Sequence, residues 1–249
     1  MTTGKSLEGR VLVLTGANGG IGRAIAEKFY AEGANLVLSD VDSAGLEAFA
    51  NSLDPQGERL VTVVADSALP ESAEHIADTA KSCFGGIDFL VPSAAIYLAQ
   101  PLTSLSDEEW RRVLSLNLDG VFYLVRRSVH LLREGSAIVN LSSMAAHRGS
   151  FYNSHYGSSK GALLSLTRSL ARELAPKTRV NAVSPGIIDT PMVTELLEVR
   201  GDESIRQTPL NRLGKPSEVA SVVHFLCTDA SSFITGEVIH VNGGLYIAG

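Results

Sequence analysis

The sequence predicts an α/β protein built on a doubly wound, seven-stranded parallel sheet with helices on both faces. Short runs rich in β-branched residues alternate with longer stretches of helical periodicity, which is typical of parallel strands joined by right-handed crossovers. The strand runs are almost continuously apolar, as expected where helices cover both faces of a sheet. The glycine-rich turn TGANGGIG (15–22) lies between the first strand and the first helix, which indicates a sheet of the Rossmann type.

The predicted elements alternate in the order that such a sheet requires. Strands are expected at 10–16, 35–40, 60–66, 87–93, 136–143, 179–186 and 237–244. Helices are expected at 21–33, 43–53, 71–84, 107–133, 153–175 and 216–228, the first ending on a glycine. No long linker or internal repeat separates these elements, so residues 1–249 are predicted to form a single domain.

One segment departs from this alternation. Residues 187–215 carry mixed charge and have turn residues at both ends. That pattern is expected for a small lid inserted over the substrate site, and an ordinary surface excursion is the alternative.

The composition excludes several classes of protein. The chain is 45% hydrophobic with a net charge of −6, and no stretch is basic enough for a nucleic-acid footprint. The N-terminus lacks the pattern of a signal peptide, and no run reaches the roughly 18 apolar residues of a membrane helix. A cytoplasmic protein with neither nucleic-acid nor membrane partners is therefore expected. Cys83 and Cys227 lack metal-ligand spacing and are interpreted as core thiols, so no metal site is predicted.

The glycine-rich turn predicts a site for the pyrophosphate of a dinucleotide. Gly16, Gly20 and Gly22 allow a tight turn and a close approach of the backbone to a ligand. The N-terminus of the helix that follows offers unpaired N–H groups and the positive end of its dipole. A nucleoside-triphosphatase phosphate loop is excluded, because no Gly-Lys-Ser/Thr follows.

Two carboxylates follow the next strands. Asp40 lies twenty residues after Gly20, where a carboxylate is expected to bond the adenosine ribose hydroxyls and to repel a 2′-phosphate, which favours NAD over NADP. A strand-end or capping role is the alternative, although Asp42 can cap the next helix equally well. Asp66 ends the third predicted strand and is interpreted as an adenine contact, with a turn residue as the alternative.

Several further motifs appear in a fixed order along the chain. They are TGANGGIG, Asp40, Asp66, Asn117 in LSLNLDG, Ser143 in VNLSS, YGSSK, SPGIIDTP and the closing VNGG. In these motifs, and over nearly its whole length, the chain resembles the short-chain dehydrogenase/reductase family. The resemblance is to the branch that includes 3-oxoacyl-carrier-protein reductases and bacterial polyol, sugar and alcohol dehydrogenases, and it implies a homotetramer. One departure is PSAA (92–95), which replaces the usual Asn-Asn-Ala-Gly.

The resemblance implies a catalytic tetrad of Asn117, Ser143, Tyr156 and Lys160. Tyr156 would act as the general acid and base; because a free phenol with a pKa of about 10 is a weak base near neutral pH, Lys160 one turn away is expected to lower that pKa. Ser143 would hold the substrate oxygen, with Ser142 as the alternative. Asn117 would distort its helix and hold a water in a proton relay, with a buried structural asparagine as the alternative.

The other contacts are assigned on the same resemblance. Pro185 and Gly186 would turn the chain against the nicotinamide, while Ile188 and Thr190 would contact its carboxamide. The predicted cofactor contacts are Gly16, Asn18, Gly20, Ile21, Gly22, Asp40, Val41, Asp66, Ser67, Ser93, Ala94, Ala95, Tyr156, Lys160, Pro185, Gly186, Ile188 and Thr190. The predicted substrate contacts are Ser143, His147, Asn153 and Tyr156, with a solvated side chain as the alternative for His147.

These assignments predict an NAD(H)-dependent oxidoreductase that interconverts a small secondary alcohol and a ketone. The alternative is an enzyme like the 3-oxoacyl-carrier-protein reductases, for which Arg126, Arg127, Lys177 and Arg179 would form a basic patch facing an acidic carrier. Asp40 argues against the NADPH that such an enzyme normally uses. A nucleotide-sensing regulator is disfavoured because the tetrad is complete, and a serine hydrolase because no Gly-x-Ser-x-Gly elbow is present.

Overall fold

The computed structural model describes residues 6–248, without the side chains of residues 195, 196, 198–200 and 202. Its centre is a sheet of seven parallel strands in the order β3-β2-β1-β4-β5-β6-β7. The strands are β1 (Val11–Thr15), β2 (Asn35–Asp40), β3 (Leu60–Val64), β4 (Ile87–Pro92), β5 (Leu132–Leu141), β6 (Thr178–Pro185) and β7 (Val238–Val241). The predicted doubly wound α/β fold is therefore confirmed.

Nine α-helices of the described chain surround this sheet. They are α1 (Gly20–Ala31), α2 (Ser43–Leu53), α3 (Pro70–Phe84), α4 (Asp107–Leu114), α5 (Gly120–Ser128), α6 (Ala145–Arg148), α7 (Ser154–Leu174), α8 (Thr194–Gln207) and α9 (Pro216–Cys227). Among the described residues, no helix combines the length and apolar character needed to cross a membrane.

The core forms two layers, one on each face of the sheet. Leu12 and Leu14 of β1 pack into the layer that contains Phe29 of α1 and Val219 of α9. Val13 points to the other layer, because successive strand side chains face opposite sides. This two-sided burial explains why the strands have continuous apolar sequences instead of alternating ones.

The long helix predicted at 107–133 is wrong in two respects. A π-helical turn at Ser115–Asp119 separates α4 from α5, and a short 3-10 turn at Val129–Leu131 ends the helical region. Strand β5 then begins at Leu132, four positions before the predicted strand at 136. The earlier start has a tertiary cause, because Leu132 pairs with Ile87 and the Arg133 side chain bonds Asp88.

Asp88 joins three segments at the amino end of the sheet. Its two carboxylate oxygens accept hydrogen bonds from Arg10 Nη1 at 2.7 Å and from Arg133 Nη1 at 2.7 Å. The Val11 amide donates a third bond, at 2.8 Å. The Asp88 side chain is 1% exposed, so these three donors compensate a carboxylate that has lost its water.

The segment 187–215 contains a helix that the sequence did not predict. Its chain runs through a 3-10 turn at Pro191–Val193 and then α8, and its two ends are joined by a bridge between Ile188 and Gly214. Gly201 inside α8 and the mixed charge of the segment obscure the helical periodicity. The 3-10 turn covers the cavity described below, as expected for a lid.

Candidate active site

A cavity of about 470 Å³ opens at the carboxyl edge of the sheet. Such a volume is typical of a small-molecule or cofactor site. Every cofactor contact predicted from the sequence lines it: Gly16, Asn18, Gly20, Ile21, Gly22, Asp40, Val41, Asp66, Ser67, Ser93, Ala94, Ala95, Tyr156, Lys160, Pro185, Gly186, Ile188 and Thr190. The fold therefore gathers residues from six separate segments into one site.

The glycine-rich turn is built so that only glycine fits at two of its positions. Gly16 has φ +65°, and a Cβ placed there would lie 2.7 Å from the Ala94 amide nitrogen. A Cβ on Gly22 would meet the carbonyl oxygen of Gly16. Helix α1 starts at Gly20 with its N-terminal end at the cavity. The turn and the helix end together fit a bound pyrophosphate.

Asp40 lies at the mouth of the same cavity. Its Oδ2 accepts a hydrogen bond from the Asn18 amide at 3.0 Å and its Oδ1 accepts one from the Asp42 amide at 3.1 Å. The cap of α2 is Asp42, which accepts from the Gly45 amide at 3.1 Å, so Asp40 is not the capping residue. Asp40 thus braces the glycine-rich turn and presents a carboxylate to the cavity.

Asp66 lies two residues beyond the end of β3, and not within the strand as predicted at 60–66. Its Oδ1 accepts from the Ala68 amide at 2.9 Å, which makes it a turn residue in addition to a lining residue of the cavity. The two roles that the sequence left open for Asp66, a turn residue and an adenine contact, are therefore compatible.

The PSAA segment keeps its place beside the cavity despite its unusual sequence. Thr15 Oγ1 accepts hydrogen bonds from the Ser93 and Ala94 amides at 3.2 and 3.3 Å. Among the described non-glycine residues, positive φ occurs at Tyr152 and Asn211 alone. Ala95 therefore adopts a backbone conformation that alanine accepts without strain.

Asn117 is fully buried in the π-turn, so the predicted helix distortion is present. Its Oδ1 accepts from the Ile96 amide at 2.9 Å, and its Nδ2 donates to the Ile96 carbonyl at 3.0 Å. Nδ2 also lies 3.3 Å from Ser159 Oγ. These contacts match the alternative interpretation of Asn117 as a buried structural asparagine. The π-turn that carries it is a feature frequent at functional sites.

The two adjacent serines after β5 have different partners. Ser142 Oγ donates to the Lys160 carbonyl at 2.9 Å. Ser143 Oγ accepts from the Ala145 amide at 3.1 Å, and its hydroxyl interacts with Tyr156. Ser143 is therefore the serine placed to share a substrate oxygen with the phenol.

The electrostatics of Tyr156 differ from the sequence expectation. Burial raises the pKa of Tyr156 to about 12; the hydrogen bond with Ser143 lowers it in part, and Tyr97 raises it further. Burial also lowers the pKa of Lys160 to about 8. Lys160 Nζ donates to the Leu141 carbonyl at 2.8 Å and lies 5.8 Å from the centre of the Tyr156 ring. Burial therefore outweighs the lowering that the sequence leads one to expect from Lys160, whose ammonium group lies over the ring.

Two predicted substrate residues do not line the cavity. The His147 ring packs against those of His240 and Tyr246, with centroids 4.5 and 5.1 Å apart, so it is neither at the substrate position nor simply solvated. Asn153 is 1% exposed and bonds the hydroxyl of Tyr97 at 3.1 Å.

Some lining residues were not found from the sequence. They are Gly19, Ala65, Ile96, Leu116, Leu141, Pro191, Met192 and Val193. Most are direct neighbours of predicted residues, so adjacency was the available signal. Tyr97 was missed as well, because its relation to Tyr156 depends on tertiary packing.

The basic patch considered for a carrier protein is not formed as expected. Arg179 Nη1 donates to the Leu226 carbonyl at 2.8 Å and to Ser231 Oγ at 3.0 Å, and Nη2 donates to the Thr228 carbonyl at 3.3 Å. Arg179 therefore fixes the C-terminal end of α9. In the described part of the chain no group of three or more His, Cys, Asp or Glu side chains is arranged to hold a metal ion.

The chain matches known proteins over nearly its whole length. A family model described as enoyl-(acyl carrier protein) reductase matches residues 16–246. The chain is 36% identical over 245 residues to a 3-oxoacyl-(acyl-carrier-protein) reductase of Thermotoga maritima, covering 97% of this chain and 99% of that one. It is 37% identical over 244 residues to the enzyme of the same name from Aquifex aeolicus, covering 96% and 98%.

A solved structure is more similar still. The crystal structure of a protein described as short-chain dehydrogenase/reductase SDR: glucose/ribitol dehydrogenase, from Brucella melitensis, is 61% identical. The match covers 98% of this chain and 99% of that one, with a TM-score of 0.96.

Proposed function

The chain belongs to the short-chain dehydrogenase/reductase family, and from that premise we propose that it is an NAD(H)-dependent enzyme interconverting a secondary alcohol and a ketone. Membership establishes an oxidoreductase acting on CH–OH and C=O groups. The observation that supports the finer proposal is the buried Tyr156, hydrogen-bonded to the partly exposed Ser143, at the cavity lined by the glycine-rich turn.

The chain's own residues account for the proton in this reaction. When bound, the nicotinamide supplies or accepts the hydride. In the reducing direction, Ser143 orients the ketone oxygen and the Tyr156 hydroxyl gives it a proton. In the oxidising direction Tyr156 takes the proton from the alcohol. Its raised pKa keeps the phenol protonated at neutral pH, which suits the reducing direction, and the Lys160 charge favours the phenolate needed for oxidation.

We propose NAD(H) as the preferred cofactor because of Asp40. Its carboxylate lines the cavity mouth beside the exposed Val41. A carboxylate there forms charge-assisted hydrogen bonds with ribose hydroxyls and repels a 2′-phosphate. The fit rests on the chemistry of the lining groups: amides at the helix start, a carboxylate at the mouth and a buried ammonium, Lys160, at the far end.

The second candidate is a 3-oxoacyl-carrier-protein reductase, favoured by the names of the relatives at 36–37% identity. The loss of Arg179 from the basic patch and the carboxylate of Asp40 disfavour it. Arg126 is exposed, and Arg127 lies over the Tyr123 ring at 5.8 Å from its centre, so a smaller basic surface remains on α5.

The resemblance further supports a homotetrameric, cytoplasmic enzyme with a small-molecule substrate and neither nucleic-acid nor membrane partners. Light scattering after size-exclusion chromatography tests the tetramer, and a dimeric or monomeric mass would overturn it.

One experiment separates the two candidates. Secondary alcohols, polyols, hydroxysteroids and 3-oxoacyl thioesters, free and carrier-bound, are assayed with NAD(H) and NADP(H) at the absorbance of the reduced cofactor. The proposal expects turnover of small alcohols or ketones with NAD(H). Turnover restricted to carrier-bound 3-oxoacyl groups with NADPH would establish the alternative.

A further inference from the structure

A second tyrosine packs against the proposed catalytic one. Tyr97 follows the PSAA segment, and its ring lies edge-on to Tyr156, with centroids 5.0 Å apart and an interplanar angle of 88°. Tyr97 is partly exposed, whereas Tyr156 lies deeper. The proton transfer described above makes no use of Tyr97, although Tyr97 contacts Tyr156, a residue of the cavity lining.

The hydrogen bond from Asn153 decides how the Tyr97 hydroxyl is used. Asn153 Nδ2 donates to the Phe151 carbonyl at 3.2 Å and to Tyr97 Oη at 3.1 Å. The carbonyl contact identifies the nitrogen side of the amide, because a carbonyl oxygen only accepts. Tyr97 Oη therefore acts as an acceptor toward Asn153, and its own proton remains for a different acceptor.

A backbone hydrogen bond fixes the positions of Tyr97 and Asn153 relative to each other. The Gln100 amide donates to the Tyr152 carbonyl at 2.6 Å, which joins the loop carrying Tyr97 to the loop carrying Asn153. Tyr152 has φ +60°, a conformation that costs a bulky residue free energy and that persists where surrounding contacts impose it. A strained backbone conformation at Tyr152 therefore lies next to the hydrogen-bonded pair of Tyr97 and Asn153.

The two phenols also affect each other. Tyr97 contributes to the raised pKa of Tyr156, and the two rings are in contact with centroids 5.0 Å apart, so a small substrate held at Tyr156 would lie close to Tyr97. A substrate whose reacting oxygen bonds Tyr156 and Ser143 would present its neighbouring carbons to Tyr97.

We propose that Tyr97, oriented by Asn153, is a specificity-determining residue that donates a hydrogen bond to a second oxygen of the substrate. That oxygen would be carried on the carbon next to the reacting carbon, as in a vicinal diol or hydroxyketone, or one carbon further, as in a 3-oxoester. The inference deepens the proposed function and rests on it.

The test uses pairs of ketones that differ in the second oxygen. Butan-2-one is paired with 3-hydroxybutan-2-one for the adjacent position, and pentan-2-one with ethyl 3-oxobutanoate for the more distant one. The measured quantity is the ratio of kcat/KM within each pair, in the wild type and in Tyr97→Phe. The phenylalanine keeps the ring against Tyr156 and removes the donor alone.

The wild type is expected to prefer one oxygenated partner, and the preferred pair identifies the position of the second oxygen. Losing one hydrogen bond to a substrate oxygen should reduce that preference about tenfold in Tyr97→Phe, while the plain ketone is reduced at the wild-type rate. Asn153→Ala should lower the same ratio, because the Tyr97 hydroxyl is no longer oriented. Tyr123→Phe on α5 is the matched control and should change neither member of a pair.

Three results would overturn the inference. An unchanged ratio in Tyr97→Phe would show that the hydroxyl does not meet the substrate. Equal losses on both members, with a shifted pH profile, would mean that Tyr97 acts only on the pKa of Tyr156. Turnover of none of the four ketones, by a wild type that accepts another alcohol or ketone of the panel above, would overturn the inference and leave the proposed function standing.

Discussion

Lys160 Nζ lies over the face of the Tyr156 ring, 5.8 Å from its centre. The ammonium is held there by the Leu141 carbonyl at 2.8 Å. Lys160 therefore acts on Tyr156 as a nearby charge, whereas Ser143 is the group in contact with its hydroxyl. The two neighbours should consequently have separable effects on catalysis.

Tyr156→Phe should lower turnover by about 10²–10⁴-fold, because it removes the proton donor and keeps the ring. Cofactor binding, followed by fluorescence titration, should persist because the lining of the cavity is otherwise unchanged. Tyr246→Phe, outside the cavity lining, is the control. Near-normal turnover of Tyr156→Phe would refute the mechanism.

The pH profile should depend on Lys160. Oxidation needs the phenolate, so kcat/KM for an alcohol should rise with pH, and burial, which raises the pKa of Tyr156, holds the rising limb above neutral pH. Burial lowers the pKa of Lys160 to about 8, so its charge favours the phenolate on the neutral side of the limb and is lost as the pH rises above 8. Lys160→Ala should move the limb to higher pH and weaken NAD binding, and Lys160→Arg should move the limb less. An unchanged profile and affinity in Lys160→Ala would contradict the assigned role.

Asp40 should set the cofactor preference. Lost ribose contacts and added repulsion should give a preference of roughly 100-fold or more for NAD over NADP in kcat/KM. Asp40→Ala should shrink that preference, and adding Val41→Arg should reverse it.

Asp40→Asn is the informative control, because it keeps one acceptor for the Asn18 amide and removes the charge. It should lose selectivity while retaining the turn. A wild-type ratio near one would show that Asp40 only braces the glycine-rich turn.

Asp88→Ala should lower the free energy of unfolding by about 2–4 kcal/mol, because it leaves the Val11 amide and two partly exposed arginines without their shared acceptor. Denaturant unfolding measures the loss. Asp78→Ala, at an exposed position on α3, should fall within about 0.5 kcal/mol of the wild type. Equal stabilities of the two variants would mean that the Asp88 cluster does not stabilise the sheet.

Gly120→Ala should disturb the adenine side of the cavity. Its Cβ would meet the carbonyl oxygen of Ser67, which lines the cavity, so we expect a loss of about 1–3 kcal/mol in stability and roughly tenfold weaker NAD binding. At Gly161 in α7 an added Cβ would lie 3.8 Å from its nearest neighbour, the Ala146 carbonyl oxygen. Gly161→Ala should therefore bind NAD normally, and similar affinities for the two variants would disprove the steric argument.

The sequence predicted those parts of the site that are marked by short motifs within one segment of the chain. The glycine-rich turn, Asp40 and the Tyr156–Lys160 pair each lie within a few residues of the element that positions them. The start of β5 was missed because it depends on Arg133 meeting Asp88, 45 positions earlier in the chain. The pKa of Tyr156 was mistaken in direction because burial is a property of the assembled layers. Tyr97 was missed because its partner Asn153 is 56 positions away.

The π-turn at Ser115–Asp119 limits how the chain can change in length. The Gly120 amide bonds the Ser115 carbonyl five positions back, so the turn holds one residue more than an α-helical turn. Deleting any one of its residues would allow α4 and α5 to merge into a regular helix, and the flanking sequence would tolerate it. The same deletion would keep α4 and α5 in register, because the wide turn absorbs the extra residue locally, and it would take from Ile96 both bonds to Asn117. At this position a shorter chain would keep its helices and lose the support under its active site.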